Sequence, residues 1–327
     1  MNRRRLLGSI AAAGLAGRLA TLRAQPAGTR MPRIGMLSFG PAPAGADPDP
    51  SAGFRQGLRE LGYSDGRNLV VDYRYADGRP DTLAVLAAEF VRLKVDVIVA
   101  GGPAPLASAR KATNTIPIVS IGGADPVGEG WAQSLARPGG NVTGLTVTFP
   151  ELGPKRLELL KQAMPSLARV AVLLAPAELR TSGPDLDARA LGLQLQLLEV
   201  SGPDDFEAAF KRATQERAQA LYAIATNMIV SHRSRLAALS IGARLPSITE
   251  FALLAEAGFL ISYGADLDAL GRRAATYVDK ILKGERPGDL PIERPTVFEL
   301  VINLRTAKAI GTTLAPALLA RANRLIE

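Results

Sequence analysis

Short runs of Val, Ile and Leu recur along this chain, separated by longer amphipathic stretches. Candidate strands begin near Arg33 (RIGMLS), Asn68 (NLVVDY), Val95 (VDVIVA), Pro117 (PIVSI) and Val142 (VTGLT). A second series begins near Arg169 (RVAVLL), Leu193 (LQLQLL), Gln219 (QALYAI), Pro246 (PSIT) and Phe259 (FLISY). The intervals run from about 22 to 35 residues, the size of one strand plus one helix, so the sheets are expected to be parallel. The runs are almost continuously apolar, as expected of strands covered by helices on both faces.

The two series share their punctuation. Leu61-Gly62 ends the first helix of the first half and Leu191-Gly192 stands in the same role in the second, with glycine supplying a left-handed cap. Gly78-Arg79-Pro80-Asp81 opens the second helix, and Gly202-Pro203-Asp204-Asp205 is its counterpart. Thr115-Ile116-Pro117-Ile118 precedes the fourth strand, mirrored by Arg244-Leu245-Pro246-Ser247. Three matches in one order predict two similar doubly wound α/β lobes.

Composition narrows the chemistry. The 327 residues are 47% hydrophobic and 21% charged, a globular balance with room for two domains. Cysteine is absent and His232 is the one histidine, which excludes thiol nucleophiles, disulfides, Fe–S clusters and Cys or multi-His zinc sites. No cofactor or metal is expected. The net charge of +8 suggests nucleic acid until it is located: Arg3, Arg4, Arg5, Arg18 and Arg23 lie in residues 1–24, which carry no acid, and only +3 is left elsewhere. No Lys/Arg run of the kind that tracks phosphates remains, so no nucleic-acid partner is expected.

The leader itself is informative. Asn2-Arg3-Arg4-Arg5-Leu6-Leu7 followed by a small, apolar stretch to Gly17 reads as a secretory signal, too short to span a bilayer. Arg-Arg-x-Leu-Leu also resembles the twin-arginine export signal, and the general secretory route stays open beside it. Residues 1–24 are read as a signal peptide cleaved near Ala24. With no cysteine there is no lipid anchor, and the expectation is a periplasmic, soluble protein.

Several strings are recognisable. Phe54-Arg55-Gln56-Gly57-Leu58-Arg59-Glu60-Leu61-Gly62-Tyr63 to Gly66-Arg67-Asn68, Asp125-Pro126-Val127-Gly128, and Ser134-Leu135-Ala136-Arg137-Pro138-Gly139-Gly140-Asn141-Val142-Thr143-Gly144 are three. Lys155-Arg156-Leu157-Glu158-Leu159-Leu160 and Glu299-Leu300-Val301-Ile302-Asn303-Leu304 are two more. Together they resemble bacterial ABC-transporter substrate-binding proteins, the kind that includes tryptophan/tyrosine-binding proteins. The resemblance implies a type I periplasmic-binding fold: lobe 1 from residues 31–147 plus about 265–296, lobe 2 from 148–264 plus about 297–327, and three crossing segments. It also implies a small-molecule ligand, an ABC permease in the inner membrane as partner, and a monomer. One departure stands out. Ala175-Pro176 replaces the family's usual Asn-Pro turn, and only residues 175–190 precede Leu191-Gly192, so the first helix of lobe 2 is expected to be short or distorted.

In open parallel sheets ligands bind beyond the carboxyl ends of the strands, at helix N-termini. Gly102 and Pro103 are candidates to let a ligand carboxylate approach backbone amides, or simply form a tight strand-to-helix turn. Asp125 is a candidate for an ammonium or hydroxyl group, and Asp before Pro is equally a common turn starter. Thr146 and Thr148 sit at the first crossing. Asn227 and Glu250 close two strands of the second half, or cap the local backbone. Ser38 and Tyr263 end the first and last of the ten strands. Phe39, Phe149 and Phe251 are stacking faces or core, Trp131 is packing, His232 is a surface residue, and Asp266 caps a helix running to Lys283.

The leading expectation is an exported receptor that binds an amino acid or related carboxylate in the interlobe cleft by hinge closure. The second is an enzyme on the same architecture, a hydrolase or isomerase. No Gly-x-x-x-x-Gly-Lys loop or Gly-x-Ser-x-Gly elbow supports it. The third, a sensor or effector-binding protein, shares the fold, and fold alone does not separate them.

Overall fold

The computed structural model describes residues 30–43, 49, 51–123, 125–147, 151–176 and 188–327. Two sheets organise the unit Pro32–Glu327. The first has five parallel strands in the order β2-β1-β3-β4-β5: β1 Arg33–Ser38, β2 Val70–Tyr75, β3 Val97–Gly101, β4 Ile118–Gly123 and β5 Val142–Thr146. The second repeats that order as β7-β6-β8-β9-β10: β6 Arg169–Leu174, β7 Gln194–Glu199, β8 Ala220–Ala223, β9 Ser247–Thr249 and β10 Ile261–Ala265. The duplication expected from the punctuation is therefore a duplication of topology, strand for strand.

Two strands were not expected. β11 (Phe298–Asn303) runs antiparallel to β10 and β12 (Arg324–Ile326) runs parallel to β11, so the second sheet has seven strands. The chain meets β11 on its return from the first lobe and not after a crossover helix, so the strand-helix rhythm does not announce it.

Helices cover both faces of each sheet because the strands are apolar on both sides. In lobe 1, α1 (Ala52–Glu60) joins Ile34, Val97 and Val119 in one cluster. α2 (Pro80–Leu93) and α3 (Pro103–Ala112) cover the opposite face with Leu83, Phe90 and Leu106. In lobe 2, α4 (Leu152–Ala163) lies on one face. The other holds α5 (Phe206–Gln215), the short α6 (Asn227–Ser231), α7 (Arg233–Gly242) and α8 (Ala252–Ala257). Pro occupies the first position of α2 and α3, where a missing N–H costs nothing. Gly62 and Gly192 follow in matched places with φ of +86° and +66°.

Three segments pass between the sheets. The first follows Thr146 into α4. The second leaves β10 and enters α9 (Leu267–Leu282), whose Leu270, Ala274 and Val278 join the core of lobe 1. Asp266 caps α9, accepting from the amides of Asp268 and Ala269 at 2.8 and 3.0 Å. α9 packs against α1 at very short range: a Cβ on Gly53 would lie 2.2 Å from the Asp268 carbonyl oxygen. The third runs beside β5, where the Glu293 amide donates to the Gly144 carbonyl at 2.9 Å, and then enters β11. α10 (Leu304–Ile310) and α11 (Pro316–Leu319) close the second lobe.

The shortened stretch after β6 lies largely outside the described residues, as do Thr148, Phe149 and the leader.

Candidate functional site

Chain direction sends the carboxyl ends of β1, β2 and β3 toward those of the second sheet. After β3 the backbone turns at Gly102, with φ +98° and ψ 178°, a conformation that an L side chain rarely adopts. Pro103 then opens α3 and leaves the Ala104 amide as a free helix-end donor. The partner of that donor comes from the other lobe. Thr226 caps α6, its hydroxyl accepting from the Ile229 amide, and this sets Asn227 at the first helical position. Asn227 Oδ1 accepts from the Ala104 amide at 3.2 Å, while Nδ2 faces the Gly101 carbonyl at 3.5 Å. A Cβ on Gly102 would stand 2.6 Å from that Nδ2, so glycine here serves a close approach as well as a backbone angle.

The same turn touches two more loops of lobe 1. Ser231 Oγ lies 3.0 Å from where a Cβ on Gly40 would be, and His232 Nε2 lies 3.8 Å from the equivalent point at Gly78. Met228 packs against the cluster of Leu37, Phe39, Leu83 and Phe90. The loops following β1, β2 and β3 therefore all meet residues 227–232, and the lobes are in contact along this rim. His232 is corrected accordingly: it is half-buried between α6 and α7, edge-on to Phe206 at 5.6 Å. Burial, and after it the positive Arg235, pushes its pKa down.

A second constellation lies on the floor of lobe 2. Arg156, on α4, is 7% exposed. Its Nε donates to the Tyr263 carbonyl at 2.8 Å, and its Nη1 donates to the Tyr222 hydroxyl at 3.1 Å and stands 3.3 Å from Glu250 Oε1. Glu250 also accepts from the Tyr222 hydroxyl at 2.9 Å and the Ala225 amide at 2.6 Å, and the Thr249 hydroxyl, which donates to the Ala223 carbonyl at 3.0 Å, stands 3.3 Å away. Burial opposes the charge on Arg156, but the Tyr222 oxygen and the Glu250 carboxylate outweigh it and hold the pKa above its usual value. Tyr222 is pushed up by burial first and Glu250 second, and stays a neutral hydroxyl. Glu250 is thus a counter-ion with its acceptors filled, and it neither caps α8, whose cap position is Phe251, nor stands free for a ligand.

The remaining candidates are dispersed around these two groups. Ser38 is half-buried beside Gly101 in the register of β1 and β3. Asp125 is exposed, its Oδ1 accepting from the Val127 amide at 3.1 Å, which is the turn-starter arrangement. Thr146 is buried and its hydroxyl donates to the Gly123 carbonyl at 3.1 Å. Tyr263 is half-buried with its ring 6.2 Å from that of Phe298. Gly102, Pro103 and Asn227 come together directly, and Glu250 and Tyr263 are joined through Arg156. Phe39 is buried in the core of lobe 1, and Phe251 and Trp131 pack against core clusters.

Arg156 was not singled out from the sequence, although a signal was present. Leu152, Arg156, Leu160 and Ala163 share one helical face, and all four are buried. A guanidinium on the core stripe of an amphipathic helix marks a charge with a partner inside.

Elsewhere, an open apolar groove of about 430 Å³ lies between α5 and α7, lined by Phe210, Thr214, Leu239 and Ala243. Among the described residues no group of three or more His, Asp or Glu is placed to hold a metal ion, and no helix is long and apolar enough to cross a membrane.

Two parallel-sheet lobes whose strand ends face one another define the two-lobed class of ligand-binding proteins. Residues 47–326 match the model of the ABC transporter substrate binding protein family, and the chain belongs to that family. A tyrosine-binding protein of Clostridioides difficile is 29% identical over 262 residues, covering 79% of this chain and 75% of the relative. Among solved structures, a conserved domain protein from Vibrio cholerae superposes with a TM-score of 0.81 at 29% identity, covering 90% of this chain and all of that one. A Streptococcus pneumonia ABC domain in complex with L-Trp superposes with a TM-score of 0.80 at 23% identity, covering 90% and 99%.

Proposed function

We propose that this chain is the exported receptor of an ABC importer, carrying an aromatic amino acid such as tyrosine or tryptophan in the cleft between its lobes. The observation that supports it most is the pairing of strand ends, in which Asn227 of one lobe reaches the α3 N-terminus of the other, in a chain of this family. Closure of two rigid lobes over a small zwitterion uses contacts made only when the lobes meet. Ser38, Gly102, Pro103, Asp125, Thr146, Thr148, Asn227 and Tyr263 are the side chains and backbone proposed to line the cleft.

Residues 1–24 serve as the signal peptide in this reading, the mature chain works as a soluble periplasmic monomer, and an inner-membrane permease receives the ligand. Lobe 1 comprises 31–147 and about 265–296, and lobe 2 comprises 148–264 and about 297–327. No turnover is expected, because the family is one of binding proteins and His232 packs edge-on against Phe206.

A thermal-shift screen of the purified chain against amino acids, small carboxylates and nucleosides tests the reading. An aromatic amino acid is expected to raise the midpoint in a concentration-dependent way. A shift with nucleosides alone would replace it.

A further inference from the structure

The guanidinium of Arg156 has five N–H donors in a fixed fork. Nε donates to the Tyr263 carbonyl and Nη1 to the Tyr222 hydroxyl, and the Glu250 carboxylate is paired with Nη1 at 3.3 Å. The two hydrogens on Nη2 have no acceptor among the described residues, and Nη2 is absent from the fully buried unsatisfied atoms. The small exposure that Arg156 retains therefore includes this nitrogen. Its three holders are Tyr222 near the carboxyl end of β8, Glu250 just beyond that of β9 and Tyr263 two residues before that of β10, the ends directed at lobe 1.

The pair is held by neutral groups on both sides. Glu250 is fixed by the Ala225 amide and the Tyr222 hydroxyl and pairs with Arg156. Tyr222, pushed up by burial, stays a neutral hydroxyl between Arg156 and Glu250. The guanidinium is thus clamped in orientation by Tyr263, Tyr222 and Glu250, with one edge left without a protein acceptor. A strut tying α4 to the Tyr263 carbonyl needs only a neutral donor. A planar cation with a free edge is the shape that recognises a carboxylate.

We propose that Arg156 is the lobe 2 anchor for the ligand's α-carboxylate, with Nη2 as the donating edge and Glu250 and Tyr222 holding the fork in place. The assignment rests on the amino-acid reading above and deepens it: the ligand class is a free carboxylate, and not its amide, ester or amine.

The test is calorimetric titration of the purified chain with L-tryptophan and with L-tryptophanamide, for wild type, Arg156→Met and Arg156→Lys. One charge-assisted hydrogen bond corresponds to roughly 10- to 150-fold in Kd. Wild type is expected to prefer the acid by about that factor. Arg156→Met should bind acid and amide within about threefold of each other, and Arg156→Lys, which keeps the charge but loses the fork, should fall between. Circular dichroism establishes which variants fold. If Arg156→Met does not, a loss of acid preference in Arg156→Lys supports the proposal. An unchanged acid-to-amide ratio in any folded variant, with both affinities lowered equally, makes Arg156 a strut and overturns the assignment while leaving the function intact. Wild type that binds neither compound overturns the amino-acid reading and the assignment with it.

Discussion

Replacing Glu250 with alanine removes the anion from a site where its cation cannot follow it into water. Arg156 would keep the Tyr263 carbonyl and the Tyr222 oxygen but lose its one acidic partner, 3.3 Å away. The Ala225 amide would lose its acceptor at 2.6 Å. Breaking a buried ion pair from one side costs about 3–5 kcal/mol. Because one edge of Arg156 meets solvent, the lower end of that range is expected, about 3 kcal/mol. For a chain of this size that is roughly 6 °C or more off the melting temperature, at about 2 °C per kcal/mol. Glu250→Gln is the informative companion. It keeps an acceptor for Tyr222 but leaves one oxygen where two were used, so about 1–3 kcal/mol is expected. Differential scanning calorimetry of the ligand-free chain reads both. A Glu250→Ala midpoint within about 1 °C of wild type would refute the reasoning, because Glu250 would then not be the counter-ion of a buried cation.

Other consequences follow from single contacts. Gly102→Ala places a Cβ at φ +98° and 2.6 Å from Asn227 Nδ2, and should cost about 1–3 kcal/mol in urea unfolding; an unchanged midpoint would contradict the turn described. Asn227→Ala removes the bridge to the Ala104 amide and should enlarge the radius of gyration of the ligand-free chain in X-ray scattering, whereas an identical profile would show that the bridge does not hold the rim. Gly53→Ala drives a Cβ to 2.2 Å from the Asp268 carbonyl and should destabilise by about 1–3 kcal/mol or more, and a neutral result would mean that α1 and α9 do not pack so closely. His232 is held below its usual pKa by burial and by Arg235, so the unfolded chain takes up the proton first as pH falls. Its contribution is at its full value above about pH 6.5 and declines as the pH drops toward the folded value, and His232→Gln should flatten that part of the stability profile.

Much of the fold was legible because two signals agreed. Apolar runs located ten strands, Pro80, Pro103 and Pro203 marked helix starts, and Gly62 marked the end of α1; Gly192 shares its positive φ, while the stretch before it lies largely outside the described residues. β11 escaped because the chain reaches it on its return from lobe 1 and it runs antiparallel to β10, and β12 escaped because it is three residues long. The site was less legible. Asn227 and Glu250 stand at strand ends as expected, but which of them faces the other lobe and which faces inward depends on long-range packing. Asn227 reaches 123 residues back in sequence to Ala104, and Glu250 turns to Arg156, 94 positions earlier in the chain. The charge of Arg156 reads locally as part of the polar pattern around Lys155 and Glu158, although its spacing from Leu152 and Leu160 places it on the buried stripe.

The central claim is that one amino acid is held between the two lobes through contacts from both. Titration calorimetry of the ligand-free chain with L-tyrosine and L-tryptophan at several temperatures addresses it directly. Saturable binding of one ligand per chain is expected, with a negative heat-capacity change from burial of the aromatic side chain as the lobes close. A folded chain that takes up neither amino acid, or binds with no change in heat capacity, would contradict the account.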